Sequence, residues 1–358
     1  MSSSIERVPA MVDLPTPTTD PTPIFELFRG SYGTELLTAA ITEFGLFGRL
    51  ADGAKPQAEL QREMELEARP MCVLMTAMRA MGLIADDGAG GVALTPVARE
   101  HLVPGGPFDV SGYVGLAKGS PGVRTMIERL RTNRPAGQEE PETGTAFIFR
   151  PDVPSAMERH DSARALTMAL VGRARNVAPV LAQKVSLASS RCILDVGGGS
   201  GIYSIAWLLR HEHLRAIVWD RPEVLRVAEE FAHEFGVADR LECVAGDMFN
   251  DAPPPGADIC LLSNVLHDWD VPECRQLLAR CSSALPSGGA LVIHDVLLND
   301  AHDGPLAVAL YSAALFCQTE GRAYSAAEYR EWLEEGGFAY ESTVSTLVHC
   351  SAILAQKR

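Results

Sequence analysis

From residue 190 onward the chain alternates two kinds of segment. Short apolar runs ("RCILDV", "RAIVWD", "LECVAGD", "DICLLS", "GALVIHDVLL") are separated by "IYSIAWLLRH", "PEVLRVAEEFAHEFG" and "PECRQLLARCSSAL". The runs are continuously apolar, as strands covered on both faces are. The separators repeat their apolar residues at three- and four-residue spacing, as amphipathic helices do. Strands joined through helices form a parallel sheet with helices on both sides. Two more strand-like stretches, "AYESTVST" and "HCSAILAQK", close the chain.

The first half has a different pattern. "IFELFRGSYGTELLTAAITEFGLFGRL" keeps helical spacing over several turns. "PQAELQREM" and "RPMCVLMTAMRAMGLI" predict two further helices, and "LIADDGAGGVALTP" a hairpin with a glycine-rich turn. Helix, helix, hairpin is a winged-helix pattern. The polar stretch "RPAGQEEPETG" marks a soft boundary, before a long helical passage over 153–185. The expected organisation is a flexible arm over 1–20, with five prolines in its first 23 residues, a helical domain over 21–150 and an α/β domain over 151–358.

A winged helix raises the question of DNA. The formal net charge is −15, against a basic phosphate-binding surface. Residues 55–105 hold five Lys/Arg and seven Asp/Glu, and the would-be reading helix carries four methionines. A groove-reading helix exposes basic and polar side chains, and this one is built to pack, so no nucleic-acid partner is expected. No apolar run reaches the roughly 18 residues of a membrane span, and the start lacks a signal-peptide pattern. The eight cysteines form no CxxC pair and several sit in apolar runs, which predicts reduced core residues and a cytoplasmic protein.

In open α/β sheets, ligands bind at the carboxyl ends of the strands. The first strand ends in "LDVGGGSG", residues 194–201. This is not a dinucleotide fingerprint: from Gly197 the third required glycine is Ile202, and from Gly199 it is Ser204. No Gly-Lys-Ser/Thr follows, so it is not a P-loop either. Asp195 at the strand end would repel pyrophosphate and attract an ammonium group. Gly197, Gly199 and Gly201 let a ligand lie against bare backbone, and the helix starting near Ile202 offers free amides to a carboxylate. Asp220, 23 residues after Gly197 with Arg221 beside it, has the spacing of an acid that accepts two ribose hydroxyls, though "DRPE" also reads as a helix cap. Asp247 stands where an adenine amine would donate, and Met248 and Phe249 offer flat apolar contact. Amino acid, ribose and adenine together describe S-adenosylmethionine.

His267, in "LLSNVLHDWDVPE", lies in the exit loop of the fourth strand, on the edge of the glycine loop. Three readings are open: a general base, a residue before a helix whose acids favour its N-terminus, or a metal ligand with Asp268 and His294 or His302. The base reading suits methyl transfer, because a phenol of pKa about 10 is a weak nucleophile until it loses its proton.

"LDVGGGSG", "GDMF" and "LHDWD", in this order, resemble the small-molecule O-methyltransferases of the plant caffeate/flavonoid and bacterial polyketide type. The resemblance extends to "TELLTAAITEFGLFGRL", "GGVALTPVAREHL" and "GRAYSAAEYREWLEEGGF", nearly the whole chain. It implies an α/β fold: a Rossmann-like class I methyltransferase sheet, mostly parallel with an antiparallel last strand, preceded by a mainly α winged-helix dimerisation domain. It implies a homodimer that converts S-adenosyl-L-methionine to S-adenosyl-L-homocysteine, needs no metal, and methylates a small acceptor. By motif match it makes His267 the base and Asp295 the acid that orients it, with Ser263 and Asn264 near the methionine part of the donor. Met168, Trp269, Phe316 and Cys317 are the expected acceptor lining. The sequence departs from the family where a second acid usually stands, here Ala323. Either Glu320 substitutes for it, or the imidazole is held differently, or the reaction is carbon or nitrogen methylation or another reaction altogether.

Overall fold

The computed structural model describes residues 13–134 and 160–358. Most of the proline-rich arm, the expected boundary near residue 150 and the start of the long helical passage lie outside the described residues.

The N-terminal part is a winged-helix arrangement. Helices Gln57–Met64 and Ala68–Ala80 precede a three-stranded antiparallel sheet in the order β1 (Lys55–Pro56), β3 (Gly91–Leu94), β2 (Ile84–Asp86). Helix Ala68–Ala80 is in its interior. Met71, Met75 and Met78 are fully buried and Arg69 nearly so, as in a helix that packs. Its cover comes from the other half of the chain. Helix Leu306–Gln318 brings Leu310, Ala313, Phe316 and Cys317 into the same apolar cluster as Leu36, Phe44, Phe47 and Leu74. Fully burying a side chain of this size contributes roughly 1.5–3 kcal/mol, so the two halves share one core rather than touching at a rim.

The second sheet forms as the apolar runs predict. Its strands are β4 (Cys192–Val196), β5 (Arg215–Asp220), β6 (Leu241–Ala245), β7 (Ile259–Ser263), β8 (Ala290–Leu298), β10 (Phe338–Ser345) and β11 (Cys350–Lys357), in the order β10-β11-β8-β7-β4-β5-β6. The pairs from β6 through β8 are parallel, and β11 runs antiparallel to both β8 and β10. A two-residue strand, β9 (Tyr324–Ser325), extends the end of β8. The chain reverses its direction of winding between β4 and β7, and a crevice opens there at the carboxyl ends. Register fixes what enters it. Ser263 pairs with His294, and because successive strand residues point to opposite faces, His294 and Asp295 diverge. The long helix His160–Lys184 and helix Ile202–Arg210 cover one face with Ala178, Leu181, Ile205 and Trp207. Among the described residues no helix is long and apolar enough to cross a membrane, and all eight cysteines are free thiols.

Candidate active site

The crevice has two corners. The first is built on the turn from β4 into helix Ile202–Arg210. Gly201 starts that helix with φ +70°, in the left-handed region that glycine enters without strain. At Gly198 a Cβ would lie 2.6 Å from the carboxyl carbon of Asp195, so the loop closes directly over that acid. Asp195 is therefore beneath the loop, 1% exposed, rather than projecting into open crevice as its strand-end position suggested. The Ser204 hydroxyl donates to its Oδ2 at 2.7 Å, but its Oδ1 is buried with no hydrogen-bond partner among the described residues. Burial pushes its pKa up to about 7, with Ser204 pulling it down and Asp220 pushing it further up. A buried carboxylate oxygen without a donor is costly, and an amino group brought to this loop relieves it. These residues fit a ligand carrying a cationic amine.

Asp220 fastens the loop from the next strand. One oxygen accepts from the Gly199 amide at 2.8 Å and the other from the Arg221 amide at 2.7 Å. Burial is the main influence on its pKa and raises it against those two bonds. Arg221 also reaches toward Asp247, at 3.7 Å. Asp247 accepts from the Phe249 amide at 2.8 Å and the Asn250 side chain at 3.0 Å. Partial burial pushes its pKa up, but these bonds and Arg221 outweigh it and leave the pKa low. Phe249 meets Trp269 edge-on at 4.6 Å, and the Met248 carbonyl accepts from Arg280 at 2.5 Å.

The second corner is built on β7, β8 and a single 3-10 turn, Leu266–Asp268. His267 is 4% exposed, and its Nδ1 lies 2.5 Å from Oδ1 of Asp295, itself 1% exposed. Asp295 also accepts from the Val296 amide at 2.8 Å and from the Tyr329 hydroxyl at 3.1 Å. Burial alone would raise its pKa; the imidazole and these donors reverse that and lower it. For His267 burial pulls the pKa down, while Asp295 and then Asp268 push it above the ordinary histidine value. With Nδ1–H donated to Asp295, the lone pair is on Nε2. Nε2 lies 3.6 Å from Asp268, whose own pKa burial pushes up to about 6. The Tyr311 ring stands edge-on to the imidazole at 6.0 Å.

Asn264 joins the corners. Its backbone has φ +58°, its amide donates to the His294 carbonyl at 2.8 Å, and its side chain bonds Ser263, Tyr203 and Arg173. Arg173 also contributes positive charge near His267, Asp268 and Tyr311, and its Nε is a buried donor with no partner among the described residues. Arg173 and Tyr311 lie in "RALTMALVGRARN" and "LYSAALFCQ", the two stretches that the sequence offers as acceptor lining, but neither residue was singled out there, and Tyr203 was not foreseen. The only available signal was a lone polar side chain inside an apolar stretch, as Tyr311 is in "LAVALYSAAL".

Other placements differ from expectation. Trp269 is 4% exposed, and its carbonyl accepts from Tyr324, which assigns it to the core under the loop. Phe316 and Cys317 are fully buried in the helical domain, with the Arg69 guanidinium 4.7 Å over the Phe316 ring. Met168 is 41% exposed on helix His160–Lys184. Glu320 meets the loop through its amide, which donates to the Asp268 carbonyl at 3.1 Å, and its charge acts on Arg69. Ala323 is buried, its amide donating to Ser312 at 3.1 Å. The second acid beside the imidazole is thus Asp268, and the second support of Asp295 is Tyr329. The ligand set imagined for a metal does not assemble. His294 lies between Ser263 and Thr346, at 3.1 and 3.0 Å, and His302 lies with Glu328 at 3.2 Å.

A parallel sheet with an amine-seeking acid at one turn and an oriented imidazole at another defines a group-transfer enzyme using a cationic nucleoside. Comparison with known proteins makes the class specific. An O-methyltransferase domain family matches residues 153–339. The chain is 36% identical over 326 residues to the 3-hydroxy-5-methyl-1-naphthoate 3-O-methyltransferase of Streptomyces sahachiroi, covering 90% of this chain and 91% of the relative. It is 29% identical to the tetracenomycin polyketide synthesis 8-O-methyl transferase TcmO of Streptomyces glaucescens, covering 89% and 91%. A solved structure of an O-methyltransferase family 2 protein from Planctomyces limnophilus, in complex with apigenin, superposes with a TM-score of 0.87 at 47% identity, covering 96% of this chain and 98% of that one. The chain belongs to the S-adenosylmethionine-dependent O-methyltransferase family.

Proposed function

We propose that this enzyme methylates a hydroxyl on a flat aromatic acceptor, with His267 as the general base. The observation that carries the reading is the Nδ1 contact of His267 with buried Asp295 at 2.5 Å, which leaves Nε2 to accept a proton. The bound donor supplies an electrophilic methyl group. The chain's own task is to make the acceptor oxygen nucleophilic and to hold it in line. Nε2 takes the phenolic proton, and Asp295 stabilises the imidazolium that results. Such proton transfer contributes roughly 10²- to 10⁴-fold, and alignment adds to it. Asp195 would hold the donor's amine, Asp220 and Asp247 would accept from its ribose and base, and Asn264 would floor the site between the corners.

The acceptor class follows from the relatives, one acting on a hydroxynaphthoate and one bound to a flavone. The Tyr311 ring, 6.0 Å from the imidazole and capped by the Arg29 guanidinium at 4.2 Å, supports an aromatic acceptor beside His267. The unpartnered Nε of Arg173 suits an acceptor with an acidic substituent. Incubation with S-adenosylmethionine and either 3-hydroxynaphthoate or apigenin tests this by mass spectrometry. A single methyl ether is expected, and a carbon-methylated product or none from either acceptor contradicts it.

The functional unit is a homodimer formed through the N-terminal domain. Leu27 and Phe28, on helix Thr22–Arg29, are 85% and 76% exposed, and Tyr113 and Leu116 are 79% and 78% exposed. Large apolar side chains left this exposed suit a surface covered by a second copy of the chain. The free thiols and the absence of a membrane-spanning helix among the described residues suit the cytoplasm.

A further inference from the structure

A second cluster of reactive side chains lies outside the methyl-transfer site, on the seam between the two halves of the chain. Cys72, on helix Ala68–Ala80, has its Sγ 3.7 Å from Nδ1 of His302. Nε2 of His302 lies 3.2 Å from Glu328, and the other oxygen of Glu328 accepts from Arg322 at 2.5 Å. Thiol, imidazole and carboxylate thus stand in line in the order nucleophile, base, orienting acid. Cys72 and His302 border a cleft of about 250 Å³ whose other walls include Gln57, Arg79, Asp86 and Asp300. His302 holds its ring there from a backbone with φ +54°, a conformation that non-glycine residues adopt sparingly and that clusters at functional positions.

Two members of the cluster also have an ordinary structural task. Glu328 completes the capping box of helix Ala326–Glu335 with Ser325, and Arg322 stacks over Tyr324 at 4.3 Å. Cys72 satisfies neither, and it is only half-buried while its neighbours on the helix are closed in core. The charges around it favour the thiolate. Burial pushes the Cys72 pKa up, but Arg322 and His302 more than offset this and lower it. The contacts of His302 with Cys72 and Glu328 raise its pKa to about 9, and Glu328 is held down at about 2 by His302 and Arg322 against its burial. A thiol whose pKa is lowered by a neighbouring imidazole and guanidinium, beside an open polar cleft, has the microenvironment of a reactive cysteine.

We propose that the Cys72–His302–Glu328 cluster is a peroxide-reactive modification site that converts Cys72 to a sulfenic acid. The thiolate sulfur attacks one peroxide oxygen, so an S–O bond forms as the O–O bond breaks. Sulfur is oxidised by two electrons and the peroxide is reduced. The departing hydroxide takes the proton of the His302 imidazolium and leaves as water. The product no longer presents a thiolate to His302, and the seam loses that ion pair. One turn before Cys72, Arg69 ties the same helix to the Thr319 and Gly321 carbonyls at 3.0 and 3.2 Å. That segment backs the His267 turn so closely that Gly321 has no room for a Cβ against the His267 carbonyl. Oxidation therefore loosens the backing of the methyl-transfer site.

The test treats the full-length enzyme with hydrogen peroxide, traps sulfenic acid with a dimedone probe, and maps the label by peptide mass spectrometry. Cys72 is expected to label at least about tenfold faster than the other seven cysteines, and His302→Gln, checked for an unchanged melting temperature, to lose most of that advantage. If His302→Gln is unstable, iodoacetamide alkylation of the wild type across pH substitutes, with Cys72 expected to react at a lower pH than a free thiol. Treated wild type should lose methyl transfer and regain it with reductant, while Cys72→Ser should not respond. Labelling ranked by exposure alone, an unaltered rate in folded His302→Gln, or inactivation that persists in Cys72→Ser overturns the proposal.

Discussion

Asp195 and Asp295 are both 1% exposed, yet their environments act in opposite directions. Asp295 has its cation in place. The imidazole of His267, the Tyr329 hydroxyl and the Val296 amide surround it and lower its pKa despite its burial. Among the described residues Asp195 has a single side-chain donor, Ser204, and one oxygen without a partner, and burial raises its pKa to about 7. The difference separates two tasks. In the proposed mechanism the carboxylate whose positive partner is built into the protein orients the base, and the other would receive the donor's amine. Burial alone does not distinguish them; the census of donors does.

The largest effect that sharpens this comparison comes from the cation of the satisfied acid. His267→Ala should reduce turnover by about a hundredfold or more while the dissociation constant for S-adenosylmethionine, measured by calorimetry, stays unchanged. A parallel loss of donor binding would merge the two corners into one. Asp295→Asn should slow turnover less, by roughly tenfold or more, and move the rising limb of the pH–rate profile. The base must be neutral to act, and Asp295 holds the His267 pKa above its ordinary value. The limb therefore lies high in the wild type and shifts to lower pH in the variant.

The vacant acid predicts the reverse pattern. Asp195→Asn should weaken donor binding by about tenfold or more, as expected for a lost charged hydrogen bond of roughly 1.5–3 kcal/mol, with a smaller effect on turnover at saturating donor. Because Asp195 titrates near 7, wild-type donor affinity should rise with pH through that region. Calorimetry of the variant should show a flat profile, and a flat profile in the wild type would break the comparison. The smallest effect on chemistry is expected from Leu27→Asp with Phe28→Asp, which should halve the molar mass seen by light scattering and leave donor binding intact. A dimer that survives both changes places the interface elsewhere.

Much of this architecture was legible in the sequence. Each strand-like run from "RCILDV" to "HCSAILAQK" became a strand of the large sheet; burial on both faces marks the composition of the inner strands, while the edge strands β6 and β10 keep exposed positions. The glycine turn and the His267 loop followed, since both are local features at strand ends. What stayed hidden was non-local. Helix Leu306–Gln318 is apolar on every side, so no periodicity told which face meets His267 and which meets the helical domain. Phe316 and Cys317 consequently turned out to be core, while Tyr311, on another face, meets the imidazole. The stretch that holds Arg173 reads as acceptor lining, but the residue itself does not stand out, because its partners Asn264 and Cys350 lie 91 and 177 residues away in sequence. The missing acid at Ala323 was compensated by Asp268 and Tyr329, of which one was read only as a metal ligand and the other not at all.

The account rests on proton removal by His267, and the most direct test varies the proton. Single-turnover methylation can be measured for a set of substituted naphthols of graded acidity, in the wild type and in His267→Ala. An acceptor already ionised at the assay pH has no proton for the imidazole to take. The penalty for losing His267 should therefore be large for weakly acidic naphthols and shrink toward none as the acceptor pKa falls below the assay pH. An equal penalty across the series would mean that His267 does not act as a base.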